Sequence, residues 1–354
     1  MSELWSDFVK NLEPYVPGEQ PRVLDLVKLN TNENPYPPSP RAVEALRTAQ
    51  TDLLRLYPDP ASSALRLAIA NRLCVPVDQV FVGNGSDEVL GFAFMAFFKR
   101  PKPLLFPDIT YSFYKVYCQL FDIQYRTVPL NDQFEVVIDQ FSTDNGGIII
   151  PNPNAPTGIA MPLATLDTLV ASHPESVVII DEAYVDFGAD SAVELISQYP
   201  NLLVIQTLSK SRSLAGLRLG YAVGHRSLID GLERVKNSFN SYPIDRLAEA
   251  AGVAAIADDV YFNECCEKIV TTRQWTTSQL ELRGFRVLPS SANFVFVEPS
   301  GIGAADLFER LRESKVLVRH FGQSRIDNFL RITIGTDREM QLLIDAIDLI
   351  LTNY

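Results

Sequence analysis

Histidine, cysteine and basic charge are all scarce in this chain of 354 residues, and each shortage closes a route. The three histidines, His173, His225 and His320, lack the i, i+4 spacing of a metal-binding helix, so no metal site is expected. The four cysteines, Cys74, Cys118, Cys265 and Cys266, have neither the density of a disulfide scaffold nor a C-x-x-C pair. Reduced thiols in a cytoplasmic protein are the expectation. Lys plus Arg total 31 against 43 Asp plus Glu, a net charge of −12, which argues against nucleic acid or an anionic membrane as a partner. Long apolar runs are missing too: the longest, 89–98, contains a glycine and is about half a membrane span. Residues 1–19 carry Glu3, Asp7 and Glu13 and no secretory apolar stretch.

What is present is core-forming material. With 47% hydrophobic and 21% charged residues, the chain can bury one substantial core and a second, smaller one. Residues 1–40 are rich in proline (Pro14, Pro17, Pro21, Pro35, Pro37, Pro38, Pro40) and have no sustained helical period, which reads as an extended arm. Pro40 opens a helix over 41–50, and Ser62 or Ser63 caps another. Between 80 and 223, short Val- and Ile-rich runs at 80–82, 104–106, 123–128, 148–150, 177–180, 202–205 and 221–223 alternate with helical segments. That pattern predicts a doubly wound α/β domain over 41–245, its mostly parallel sheet covered on both faces. A long helical segment at 247–283 and short runs at 294–297, 316–318 and 329–334 predict a smaller α+β domain over 246–354.

Ligands gather at the carboxyl ends of strands in such sheets, so the residues after each run are the ones to weigh. After the first comes Gly83-Asn84-Gly85-Ser86-Asp87-Glu88, small residues opening a helix whose N–H groups and dipole suit a phosphate. After the second comes Tyr111, placed to stack on a flat ring. The turn Pro151-Asn152-Pro153-Asn154-Ala155-Pro156-Thr157-Gly158 follows another strand, stiffened by three prolines. Asp181-Glu182-Ala183-Tyr184 puts a carboxylate at the end of a buried strand, where it needs a partner, with a phenol three residues on. Ser209-Lys210 follows the 202–205 run, with Arg218 eight residues later. A lysine for covalent chemistry, an aspartate to hold a heterocyclic nitrogen protonated and a phosphate cradle of Ser209, Arg218 and the 85–87 turn are together the parts that hold pyridoxal phosphate.

These motifs, together with Leu29-Asn30-Thr31-Asn32-Glu33-Asn34-Pro35-Tyr36, Tyr57-Pro58-Asp59 and Gly216 to Tyr221, resemble the histidinol-phosphate aminotransferase branch of the class I and II aminotransferases. The resemblance runs from about Tyr15 to Arg331 and implies a fold-type I, pyridoxal-phosphate-dependent homodimer with active sites at the subunit interface. It implies that Lys210 is the Schiff-base lysine, that Asp181 pairs with the pyridine nitrogen and that Tyr184 meets the ring hydroxyl. Tyr111 would stack on the ring, Gly85, Ser86, Asp87, Ser209 and Arg218 would surround the phosphate, and Tyr57 would reach it from the neighbouring subunit. Many relatives have Asn before Pro-Thr-Gly where this chain has Ala155, and Asn154 is the expected substitute. For substrate, Arg331 matches the arginine that takes an α-carboxylate. Arg319 and Tyr15 match the positions that bind a substrate phosphate, and Asn32 and Asn240 are expected along the pocket. The implied reaction joins histidinol phosphate and 2-oxoglutarate to imidazole-acetol phosphate and glutamate. An aromatic amino-acid aminotransferase and a phosphothreonine decarboxylase share the framework, and a passive effector-binding module is the reading from a different class.

Overall fold

The computed structural model describes residues 3–20, 25–49 and 51–353. Pro21 of the expected arm and Gln50 at the end of the expected second helix lie outside the described residues, as do Met1, Ser2 and Tyr354.

A short strand near the amino end, β1 (Val27–Lys28), precedes a seven-stranded sheet of β2 (Val80–Asn84), β3 (Leu104–Pro107), β4 (Tyr125–Val128), β5 (Gly147–Pro151), β6 (Val178–Asp181), β7 (Leu202–Thr207) and β8 (Leu219–Gly224). Every apolar run predicted between 80 and 223 is one of these strands. The spatial order is β2-β8-β7-β6-β5-β3-β4. Strands β7, β6, β5, β3 and β4 are mutually parallel, whereas β8 runs antiparallel to both neighbours, β2 and β7. Alternate residues of each strand therefore serve two separate cores. Val80, Val82, Ile148, Ile150, Val178, Ile180, Leu202 and Val204 pack on one face, with Leu65, Leu166 and Leu169 from the covering helices. Phe81, Ile149, Ile179, Leu203 and Ile205 pack on the other, against Val89, Phe94, Tyr114 and Leu232. This is the doubly wound arrangement expected, built from runs too apolar to face water on either side.

A second sheet has four strands, β9 (Arg286–Val287), β10 (Phe294–Glu298), β12 (Arg319–His320) and β13 (Leu330–Thr333), in the order β12-β13-β10-β9. Strand β11 (Val316–Leu317) pairs in parallel with β1, so the amino-terminal arm is hydrogen-bonded to the carboxyl-terminal part of the chain. The single helix expected over 247–283 is two, Arg246–Ile256 and Asp259–Leu282. The first buries Ala248, Ala251 and Ala255 in the large sheet's core, while the second gives Phe262, Ile269 and Leu280 to the core around the smaller sheet.

Local signals explain the helix starts near the site. Ser39 caps Pro40–Thr48, its hydroxyl accepting from Ala42 N at 3.1 Å, with Pro40 in the first turn. Ser62 occupies the next cap without using its side chain. Asp59 does that work instead, accepting from Ala61 N and Ser63 N at 2.9 Å each. Among the described residues no helix is long and apolar enough to cross a membrane, and no cluster of His, Cys, Asp and Glu could hold a metal ion.

Candidate active site

A cavity of about 530 Å³ opens at the strand ends of the large sheet. Lys210, Asp181, Tyr184, Tyr111, Ser86, Asp87, Ser209, Arg218, Arg331, Arg319, Tyr15 and Asn32 all line it. The antiparallel β8 explains how Arg218 comes to be there. Strands β6 and β7 deliver Asp181 and Ser209-Lys210 as they leave the sheet, but β8 enters the sheet at the same edge, so the residue just before it joins them. Register confirms the placement, with Thr207 opposite Gly220 and Asn84 opposite Leu219.

Asp181 is the most informative group. Its side chain is buried, and Oδ2 accepts from the Tyr114 hydroxyl at 2.7 Å. Its other oxygen, Oδ1, is equally buried and has no hydrogen-bond partner among the described residues. Burial pushes the carboxyl up to about 6, the bonds from Tyr114 and the Ala183 N–H pull the other way, and Asp87 adds repulsion. A buried, half-satisfied carboxylate at a cavity wall calls for a cationic donor.

Lys210 reaches in from the loop after β7, its Nζ 3.2 Å from the Thr31 carbonyl and 5.8 Å from the centre of the Tyr184 ring. The Tyr184 hydroxyl accepts from Asn32 Nδ2 at 2.9 Å. Arg218 pairs with Asp87 at 3.1 Å, and the Tyr111 hydroxyl donates to the same carboxylate at 3.1 Å. Asp87 thus orients Arg218; as a carboxylate it has no proton to give a phosphate, which the N–H groups at the start of helix Gly85–Ala93 can supply. Gly85 does not line the cavity but is required beside it. Its φ is +77°, and a Cβ there would overlap the Arg218 guanidinium. Gly220 is needed for a related reason, because its Cα faces the backbone of Gly85 and Ser86 with no room for a side chain.

On the far side of the cavity Arg331 donates to the Asn30 carbonyl at 3.0 Å and lies 5.4 Å from the Phe294 ring centre. Its Nε is buried without a partner among the described residues, and burial lowers its pKa from the usual guanidinium range. Arg319 sits over Phe321 at 5.9 Å, and the Tyr15 ring packs on Phe113 at 4.9 Å. Neither Arg331 nor Arg319 forms an ion pair with a carboxylate among the described residues. Glu33 also lines the cavity; burial works to raise its pKa, but hydrogen bonds from Lys28 and Thr31 outweigh this and hold it below the ordinary carboxylate range.

Three expected residues are placed elsewhere. Asn154 is buried and turned from the cavity, its amide donating to the Ile109 carbonyl and Thr157 Oγ1 at 3.1 Å each. Ala155 is the residue of that turn on the cavity wall, so Asn154 does not replace the missing amide. Asn240 is exposed at the end of helix Arg226–Phe239, where it accepts from Tyr242 N, and does not reach the cavity of its own chain. Tyr57 is 77% exposed and stacks on Tyr242 at 4.8 Å, also outside it. Conversely, Thr110, Thr207 and Glu33 line the cavity, and Tyr114 stands behind Asp181, without having been singled out. Thr207 and Thr110 follow the same strand-end rule that found the others. For Tyr114 the sequence carries no signal, because its partner is 67 residues away.

Sheet order, site position and donor set define a fold-type I, pyridoxal-phosphate-binding α/β enzyme. Residues 25–347 match the family described as aminotransferase class I and II, and the chain belongs to that pyridoxal-phosphate-dependent family. It is 57% identical over 347 residues to histidinol-phosphate aminotransferase 1 of Hydrogenovibrio crunogenus, covering 98% of each chain. With histidinol-phosphate aminotransferase 2 of Dechloromonas aromatica it shares 56% identity over 351 residues, 98% of this chain and 99% of the other. The crystal structure of histidinol-phosphate aminotransferase from Sinorhizobium meliloti, solved with pyridoxal 5'-phosphate, superposes with a TM-score of 0.88 at 24% identity, covering 98% of this chain and 97% of that one, and shares the fold. The residues present fit the cofactor. Asp181 Oδ1 lacks the donor that a protonated ring nitrogen would provide, and Gly85 leaves the space into which Arg218 turns.

Proposed function

We propose that this chain is a histidinol-phosphate aminotransferase, moving an amino group between histidinol phosphate and 2-oxoglutarate to give imidazole-acetol phosphate and glutamate. The observation that carries the reading is a cavity with Lys210 and Asp181 on one wall and two arginines on the other, Arg331 and Arg319, that have no carboxylate partner among the described residues, with Tyr15 also at the wall. A pair of guanidiniums suits a phosphomonoester, and the same pair suits the two carboxylates of glutamate in the second half-reaction. The relatives above, at 56–57% identity over nearly the whole chain, support the same substrate.

Pyridoxal phosphate, when bound, supplies an aldehyde that captures amines and a ring that accepts electrons. The protein's own groups do the rest. Lys210 would anchor the cofactor through Nζ and would hold and move a proton at that atom. Asp181 Oδ1 would hold the ring nitrogen protonated, and the Tyr184 hydroxyl, fixed by Asn32, would meet the ring oxygen. Tyr111 would pack on the ring, and Ser86, Ser209, Arg218 and the start of helix Gly85–Ala93 would hold the phosphate. With Asn154 turned away and Ala155 at the wall, Tyr184 carries the ring-oxygen contact alone among the residues assigned to it.

We further infer a cytoplasmic homodimer with two units per chain. Helix Arg246–Ile256 packs in the large sheet's core, and this supports a division near Ala257, a little beyond the expected 245, with the expected arm before residue 41. Leu54, Leu56, Tyr57 and Tyr242 are exposed together, which suits a partner surface and a role for Tyr57 at the neighbouring subunit's phosphate. The test is a substrate panel: histidinol phosphate, phenylalanine and phosphothreonine, each with 2-oxoglutarate. Preferred turnover of histidinol phosphate with parallel initial-velocity lines is expected. A preference for phenylalanine, release of aminopropanol phosphate, or intersecting lines would overturn the reading.

A further inference from the structure

Tyr114 lies outside every role assigned above, yet it holds the hydroxyl closest to the site's key carboxylate. It is fully buried in helix Phe113–Phe121, edge-on to Phe106 at 5.8 Å and to Tyr111 at 5.6 Å, and tilted against Phe94 at 6.0 Å. These surroundings would accept a phenylalanine equally well. The Tyr114 hydroxyl donates to Asp181 Oδ2 at 2.7 Å. Burial and the Asp181 charge raise the phenol's pKa far above its ordinary value, so it stays protonated and remains a donor.

A carboxylate is broadly two-fold about its last torsion, and either oxygen can take either position. In a buried site with Asp87 repelling it, an unheld Asp181 would also favour its neutral form. We propose that Tyr114 is a positioning residue for the cofactor: by holding Oδ2, it keeps the carboxylate turned so that Oδ1 faces the cavity to receive the ring nitrogen. The inference rests on the reading of Asp181 as that nitrogen's partner. It names a third member of the relay, cofactor to Asp181 to Tyr114, that never touches the substrate.

The experiment is a double-mutant cycle on the full-length protein with Tyr114→Phe, Asp181→Asn and the two combined. The cofactor is stripped from each holoenzyme and pyridoxal phosphate is titrated back while protein fluorescence is followed. Phenylalanine keeps the ring and its packing, so thermal unfolding should move little. Tyr114→Phe should weaken cofactor binding about ten-fold or more, as loss of a buried bond to a charged group does. Asp181→Asn should weaken it further, and the double variant should bind no worse than Asp181→Asn alone. The pH midpoint of the bound cofactor's absorbance band should also move in Tyr114→Phe. Unchanged affinity in Tyr114→Phe, or a loss that persists undiminished in the Asp181→Asn background, would overturn the proposal by showing that Tyr114 only fills space. Unchanged affinity in Asp181→Asn would instead overturn the reading of Asp181 itself, and the proposal with it.

Discussion

Replacing Asp181 with asparagine should make the cofactor-free protein more stable at neutral pH, although it removes a residue assigned to the active site. Folding raises this carboxyl from 3.8 to about 6, so the folded protein holds the Asp181 proton more tightly than the unfolded chain does. The contribution of the side chain is therefore fully present below about pH 4 and is lost as pH climbs through 6. Roughly two pKa units at about 1.4 kcal/mol each give a loss of about 3 kcal/mol by pH 8. Asparagine has the same shape, can still accept from Tyr114 and does not ionise. Glu182 next door is pushed up to about 7 by burial, against the bonds it accepts from Ser191, Ala192 N and Gln206, but it is present in both proteins and drops out of the difference. Urea unfolding of the two cofactor-free proteins between pH 4 and 8 should show a stability gap in favour of Asp181→Asn that grows mainly between about pH 4 and 6 and levels off above that. Adding pyridoxal phosphate should reverse the order, because only the aspartate gains an ionic partner. A gap independent of pH, or one growing in favour of the wild type, would refute the argument.

Further outcomes follow from the same geometry. Lys210→Ala should abolish turnover and leave the cofactor bound only noncovalently, seen as loss of the aldehyde-amine absorbance band on a protein that still retains cofactor after gel filtration. Arg319→Ala should raise the KM for histidinol phosphate by roughly ten-fold or more, the cost of one charged hydrogen bond, with folding unaffected in circular dichroism. Gly85→Ala forces a left-handed backbone on alanine and pushes aside Arg218, so it should lose about 1–2 kcal/mol of stability in denaturant melts and weaken cofactor binding in the same samples. Mixing inactive Lys210→Ala with Tyr57→Ala chains should restore activity, since in the proposed dimer a mixed pair would contain one site with both wild-type residues; no recovery over either parent would overturn the role proposed for Tyr57 across the interface.

The amino-acid order alone determined the strands of the large sheet and most of the cavity. Runs such as Val178 to Ile180 are apolar on both faces, which leaves them few places but the middle of a covered sheet, and strand-end position then located Lys210, Asp181 and Ser209. What tertiary structure decided is direction and distance. That β8 enters the sheet where its neighbours leave is a fact of strand order, and it is why Arg218, before a strand rather than after one, meets Asp87. The turn at Asn154 depends on which way an amide rotates inside a buried loop, and composition says nothing of that. Helix Arg246–Ile256 reads as continuous with the helix that follows, yet the chain breaks at Ala257 and Asp258 because its alanine face is taken up by the large core. Tyr114 is the clearest case. A tyrosine in an aromatic helix looks like packing, and only the fold brings its hydroxyl to within 2.7 Å of Asp181, because a hydrogen bond between residues far apart in sequence exists only once both cores have closed around it.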